Sequence, residues 1–201
     1  MKTNLLDLVK NRRTVYNLGK NVNLDQDELF EYVKDLIRTL PSAFNSQPVR
    51  VVMLLNDHHE QLWDLTADIL NERLEPNAFL RTKAKLSTFK NAYGTLLFFT
   101  DMDVVKEFTD NPKIKTYQYQ QFNWSEEAQG NAQLTVWTGL EENGLGVNLQ
   151  HYDPLINAAV RTKFDIPSNW QLRGEMNFGS IEAPAAEKTV IADEKRFKLF
   201  K

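Results

Sequence analysis

"PSAFNSQPVRVVMLL", residues 41–55, joins two prolines and the polar residues between them to a strongly apolar run. Its second half, from Val49 to Leu55, is a run of β-branched and aliphatic residues too short for most helices, so it reads as a buried strand. Its first half sets Ser42, Asn45, Ser46 and Gln47 between Pro41 and Pro48. Proline ends a helix, and Ser and Asn favour turns, so a helix must stop before this stretch and a strand must start after it. By turn chemistry alone the four polar side chains need no ligand.

Working outward, "NLDQDELFEYVKDLIRTLP" (23–41) opens with carboxylates and places Leu29, Phe30, Val33, Leu36, Ile37 and Leu40 on one helical face. "TNLLDLVKNRR" (3–13) predicts a short first helix with its cations at the favourable end. After the strand, residues 57–74 predict a helix with Asp57 as N-cap and Glu60 at the capping-box position. Further helices are expected over 78–90, over 101–111 behind a capping Asp101, over 125–143, and from Asp153 and Pro154 onward. Strands are expected over 94–100, 144–150 and 169–179, followed by an extended tail from about 180 to 201. This order gives an α+β fold, a sheet covered by helices, in a single domain spanning 1–201.

Composition removes several function classes. Lys plus Arg total 24 against 27 for Asp plus Glu, a net charge of −3, so nucleic acid and anionic membrane surfaces are poor partners. No cysteine is present, which excludes disulfides and thiol chemistry and fits a reducing compartment, with the cytoplasm as the expected location. The first twenty residues are broken by Asp7, Lys10, Arg12 and Arg13 and do not read as a secretory signal. No apolar run reaches membrane-spanning length. The histidines are His58, His59 and His151; the first two fall in the first turn of a surface helix and read as a solvated pair without a role. No metal motif, nucleophile elbow or phosphate loop appears, so no metal is expected.

Two local features survive, "NRRT" at 11–14 and "PSAFNSQP" at 41–48. The first offers guanidinium forks and a hydroxyl suited to a phosphate, and the second offers amides and hydroxyls suited to a planar heterocycle. Arg-Arg-Thr near the start, "PSAFNSQP" before a strand, "AYGTLLFF" (92–99) and "ENGLGVN" (142–148) after a long helix together resemble the nitroreductase family of flavin enzymes. Within it the chain looks most like the short subgroup that includes a yeast fatty-acid repression mutant protein and a copper-induced nitroreductase of lactic acid bacteria. The resemblance runs from Leu5 to about Lys188.

What the resemblance implies is a central mixed or antiparallel sheet of four to five strands, an intertwined homodimer with the tail packing on the partner, and FMN at the interface. Arg12, Arg13 and Thr14 would hold the FMN phosphate, with Lys188 closing that pocket from the tail. Ser42, Ala43, Asn45 and Gln47 would reach the ring and ribityl chain from the facing subunit. Gly144, Leu145, Gly146, Asn148, Leu149, Gln150 and His151 would supply backbone near the N5 side of the ring. The chain departs from the family in having Val49 where an aromatic is common, Thr189 and Val190 after Lys188 where a second cation is common, and "QHYDP" (150–154) in place of a Glu-Gly segment.

The implied function is an FMN-dependent NAD(P)H oxidoreductase in which hydride passes through the cofactor to a nitroaromatic, a quinone or another small aromatic acceptor. That chemistry asks for no acid or base from the protein, and none was found in the chain. Phe89, Tyr93, Tyr117, Tyr119, Phe122 and Trp124 are candidates for roofing the acceptor, against the plainer alternative that they are core. A flavin-binding sensor or regulator of the same fold, in lipid or stress response, stays open as the other reading.

Overall fold

The strand Gly94–Asp101 (β3 of five) shows why a sheet forms: seven uncharged residues precede its one carboxylate, and all eight are buried. In the computed structural model, which describes residues 2–201 apart from the side chains of Lys115 and Gln118, β3 lies between two partners. On one side, β2 (Val49–Leu55) pairs without interruption from Val49↔Thr100 to Leu55↔Gly94. On the other, β5 (Trp170–Ile181) pairs along the whole of β3, with one irregularity between Phe98 and Phe99. Strand β4 (Gly146–Gln150) adds to β5 from Gly146↔Gly179 to Gln150↔Glu175, and the two residues of β1, Leu18–Gly19, pair with its end. All pairings between these strands are antiparallel, so the antiparallel form of the expected sheet is the one adopted.

Side chains alternate across a strand, so each face of the sheet has its own core. Leu96, Phe98, Val147, Met176 and Phe178 pack against α2 (Gln26–Arg38) and α6 (Gln121–Glu142). Leu54, Leu97, Phe99 and Leu172 pack against α3 (Asn56–Asn71), α4 (Pro76–Lys90) and α7 (Asn157–Phe164). Asp25 caps α2 by accepting from the N–H groups of Asp27 and Glu28. Asp101 caps α5 (Met102–Asp110) by accepting from Asp103. Helix α1 (Asn4–Asn11) buries none of its residues. A 3₁₀ segment, Pro112–Gln120, leads into α6, which therefore begins before Ser125.

Three expectations are corrected. Asp57 is not the cap of α3, because the β2 pairing runs to Leu55 and leaves no residue for a capping turn; Asn56 bends the chain at φ 50° and the helix starts there. Helix α7 starts at Asn157 rather than at Pro154, because the preceding backbone is tied to β5: Glu175 accepts from the Tyr152 N–H at 3.0 Å. The histidine pair is not a solvated one. His59 is 1% exposed, its Nδ1 lies 2.9 Å from Thr95 Oγ1, and burial pushes its pKa down to about 4; only His58 is exposed.

Gly144 ends α6 at φ +78°, a conformation that favours glycine. Gly179 is demanded by close approach: a Cβ there would meet the carbonyl oxygen of Gly19 at 2.3 Å and the backbone N of Tyr93 at 2.9 Å. Backbone atoms cannot step aside as a flexible side chain can. Gly179→Ala is therefore expected to lower stability by about 1–3 kcal/mol, read as a fall in the urea midpoint at unchanged slope; an unchanged midpoint would contradict this packing.

Candidate cofactor site

The segment after α1 is placed by β4. Arg12 leaves the helix at ψ 109°, and the extended chain then runs parallel to β4 through a bridge between Thr14 and Val147. Val15 donates to the Val147 carbonyl at 2.9 Å, and Asn148 Nδ2 donates back to the Val15 carbonyl at 2.9 Å. The Arg12 guanidinium sits 4.5 Å above the ring of Trp137 on α6. Arg13 Nη2 donates to the carbonyl of Ala186 and so holds the tail alongside. The result is a cleft of about 390 Å³ lined by Arg12, Arg13, Thr14, Tyr16 and tail residues 186–189.

Three cations, Arg12, Arg13 and Lys188, face this cleft against one carboxylate, that of Glu187. Arg12 Nε and Trp137 Nε1 are both buried without a hydrogen-bond partner. Buried donors are rarely left unpaired, and a guanidinium fork suits a phosphate. The donor set fits a phosphorylated ligand. Sequence reasoning found Arg12, Arg13, Thr14 and Lys188, and the fold brings all four to one cleft. It missed Trp137, whose helical neighbours gave no sign that its indole would lie under an arginine.

The β4 residues serve the fold first. Asn148 is fully buried, and its Oδ1 accepts from Gln150 Nε2 and Asn177 Nδ2, both at 3.0 Å. Asn177 Oδ1 in turn accepts from Thr95 Oγ1 at 2.8 Å, and Thr95 accepts from Trp63 Nε1 at 3.2 Å. Asn148, Asn177 and Thr95 are direct cross-strand neighbours, so this is a polar ladder through the sheet that ends by fixing the Val15 carbonyl beside Thr14. Leu145 lies in the core, and a Cβ on Gly146 would strike Leu18 and Ile181. Leu149 is half-buried, and Gly144 and His151 are exposed. Asn148 is thus committed within the protein, and this segment presents main chain more than side chains.

Beside the ladder, Glu175 is 0% exposed; its Oε2 holds Tyr152 N–H while its Oε1 has no partner. Burial, with Asp153 adding to it, pushes this carboxyl up to about 8.

The turn at 41–48 lies elsewhere. Ser42 and Gln47 line a second cleft of about 130 Å³ with Ile37, Leu40, Val49 and Arg50, and no residue lines both clefts. Phe44, Asn45 and Gln47 all have positive φ, 53°, 53° and 48°. Left-handed backbone costs a non-glycine residue of order 1 kcal/mol. Ser42 Oγ accepts from Gln47 N–H at 2.9 Å across the turn, while Asn45 and Gln47 are exposed and Ala43 is half-buried. Phe44 is 57% exposed and leans on Trp124 and Phe108, with centroids at 5.6 and 6.2 Å. Tyr117 joins Trp124 at 5.8 Å. Phe89, by contrast, is 0% exposed in the core against Trp63, and Tyr93 packs on Phe178 and accepts from Gln26.

An antiparallel α+β sheet with a cation-lined cleft at β4 fits a protein that binds a phosphorylated ligand. The profile of the Nitroreductase family matches residues 9–180, and the chain belongs to that family. The nitroreductase FRM2 of Saccharomyces cerevisiae is 31% identical over 190 residues, 94% of this chain and 93% of that protein. The structure of nitroreductase CinD from Lactococcus lactis in complex with nicotinic acid superposes with a TM-score of 0.90 at 44% identity, covering 98% of this chain and 100% of that one. The same protein in complex with 4-nitrophenol superposes at 0.88. A nitroreductase from Desulfitobacterium hafniense with bound FMN superposes at 0.73 over all of both chains, but at 13% identity it speaks for the fold alone. The subgroup resemblance to yeast and lactic-acid-bacterial proteins is borne out. The chain is a nitroreductase-type oxidoreductase.

No helix among the described residues is long and apolar enough to cross a membrane. Among the same residues no cluster of three or more acidic or histidine side chains is placed to hold a metal ion.

Proposed function

We propose that the protein is an FMN-dependent NAD(P)H oxidoreductase that reduces nitroaromatics, quinones or related small aromatic electrophiles. The observation that carries this reading is the convergence of Arg12, Arg13, Thr14 and Lys188 on one cleft that contains an unpartnered buried guanidinium nitrogen. Arg12 and Arg13 would neutralise the FMN phosphate, Thr14 would donate its hydroxyl, and Lys188 would close the pocket. When bound, FMN would supply the hydride chemistry, a ping-pong transfer at N5 between NADH or NADPH and the acceptor. Main chain at Gly144, Leu149, Gln150 and His151 would border the ring, and the Asn148 ladder keeps that border in register with the phosphate side. The complexes of CinD with nicotinic acid and 4-nitrophenol support small planar aromatics as acceptors.

The second half of the site would come from a second copy of the chain. Leu5, Leu6 and Val9 of α1 are exposed, as are Val190, Ile191, Phe197, Leu199 and Phe200 of the tail, apolar side chains that a partner surface would cover. An intertwined homodimer would cover it and bring Ser42, Ala43, Asn45 and Gln47 of one subunit to the ring held by the other. The absence of cysteine favours the cytoplasm.

The test is direct. Purified protein is expected to be yellow, to retain FMN through gel filtration, and to oxidise NADH or NADPH when 4-nitrophenol or a quinone is supplied. A colourless protein that fails to retain added FMN would overturn the proposal. Bound FMN that neither nicotinamide reduces would overturn its enzymatic part.

A further inference from the structure

The turn at 41–48 is held from behind by a side chain outside it. Arg50 Nη1 donates to the Gln47 carbonyl at 2.7 Å and to the Val49 carbonyl at 3.0 Å, while its Nη2 donates to Asp101 Oδ2 at 2.9 Å. The other carboxylate oxygen of Asp101 accepts from Asn169 Nδ2 at 2.8 Å and from the Asp103 N–H at 3.1 Å. The Asp101 backbone N–H donates to the Pro48 carbonyl at 2.9 Å. The pair is sheltered, with the Arg50 side chain 30% exposed and that of Asp101 11%.

These bonds fix Gln47 from both sides. Its N–H is held by Ser42 Oγ and its carbonyl by Arg50, so a residue at φ 48° has neither peptide free to rotate. Left-handed non-glycine residues persist only where the surroundings over-determine them. Here they are the Ser42 hydroxyl and one guanidinium, whose planar fork reaches the turn carbonyl and the carboxylate together in a way a lysine ammonium cannot reproduce. Because Asp101 also caps α5, the same clamp sets the turn relative to Phe108, on which Phe44 leans.

We infer that Arg50 and Asp101 are positioning residues for the cofactor and acceptor site: they hold the 42–47 turn in the shape that presents Ser42, Asn45 and Gln47 outward, and they touch neither ligand themselves. The inference rests on the proposed role of that turn at FMN. It has the cost profile of a supporting contact, whose loss displaces a ligand-binding group without removing it.

The experiment compares wild type, Arg50→Lys, Arg50→Ala and Asp101→Asn as full-length protein. FMN affinity is read by fluorescence titration, apoprotein melting by calorimetry, and turn mobility by hydrogen exchange of the 42–47 amides without FMN. Arg50→Lys and Asp101→Asn are each expected to weaken FMN binding by about tenfold, to speed exchange in the turn, and to leave the melting temperature close to wild type. Millimolar guanidinium is expected to restore much of the affinity of Arg50→Ala. Wild-type FMN affinity in both Arg50→Lys and Asp101→Asn would overturn the clamp, as would a loss of affinity that merely follows a lowered melting temperature. Failure of the wild type itself to bind FMN would instead overturn the cofactor reading.

Discussion

Replacing Arg12 and Thr14 together by alanine is expected to give a folded, colourless protein. What secures this segment to the sheet is its backbone, through the Thr14–Val147 bridge, the Val15–Val147 bond and the Asn148 amide, none of which needs either side chain. The side chains instead face the cleft. A charge-assisted hydrogen bond contributes about 1.5–3 kcal/mol, so losing two lowers FMN affinity by roughly 10²–10⁴-fold. Far-UV circular dichroism should be unchanged, and flavin absorbance should leave the protein on gel filtration. A double variant that stays yellow would show that the cleft does not hold the phosphate. Loss of the Arg12 contact over Trp137 acts in the same direction, because an ordered guanidinium is part of what the ligand would meet.

The elements legible in the sequence were those with a strong local signal. The strand at Val49–Leu55 emerged residue for residue, because a proline-bounded aliphatic run has one reading. Helix α2 was marked by its acidic cap and α5 by Asp101. What failed depended on partners distant in the chain. Asp57 lost its cap to a register set by β3, and the start of α7 was set by a hydrogen bond from Tyr152 to Glu175. His59 looked solvated because it stands next to His58, and nothing local says that one helical step turns it into the core beside Thr95.

The candidate site divides in the same way. Arg12, Arg13 and Thr14 are contiguous, and Lys188 came through the resemblance. The structure adds the reason they meet: Arg13 draws the tail back by bonding Ala186. Asn148 was expected to offer its backbone beside the ring; its side-chain amide bonds Val15, Gln150 and Asn177. It reaches the site indirectly, as the rung that aligns Thr14 with β4. Arg50 gave no signal at all, since an arginine one residue into a strand is ordinary, and only the left-handed residues before it show what it holds.

The pH dependence of stability is expected to carry opposite slopes from two buried groups that lie on the same face of the sheet. His59 has its pKa lowered from 6.5 to about 4, chiefly by burial and, among nearby charges, further by Lys20 and against Glu60. Between those values the unfolded chain binds more protons than the folded one, so stability rises with pH. Glu175 has its pKa raised from 4.5 to about 8 by burial and by Asp153, so between those values the folded chain binds more protons and stability falls as pH rises. Where the windows overlap, up to 6.5, the two slopes oppose each other. From there to about 8 the Glu175 slope acts without the other, at up to about 1.4 kcal/mol per pH unit. Glu175→Gln keeps an acceptor for Tyr152 N–H and removes the charge, so it is expected to gain stability over wild type by a few kcal/mol as pH rises from about 6 to about 9, the gain levelling off above the folded pKa. Urea unfolding of both proteins at several pH values measures it. A difference that stays constant with pH would show that Glu175 is already ionised in the folded protein, with its Oε1 satisfied by a donor such as water.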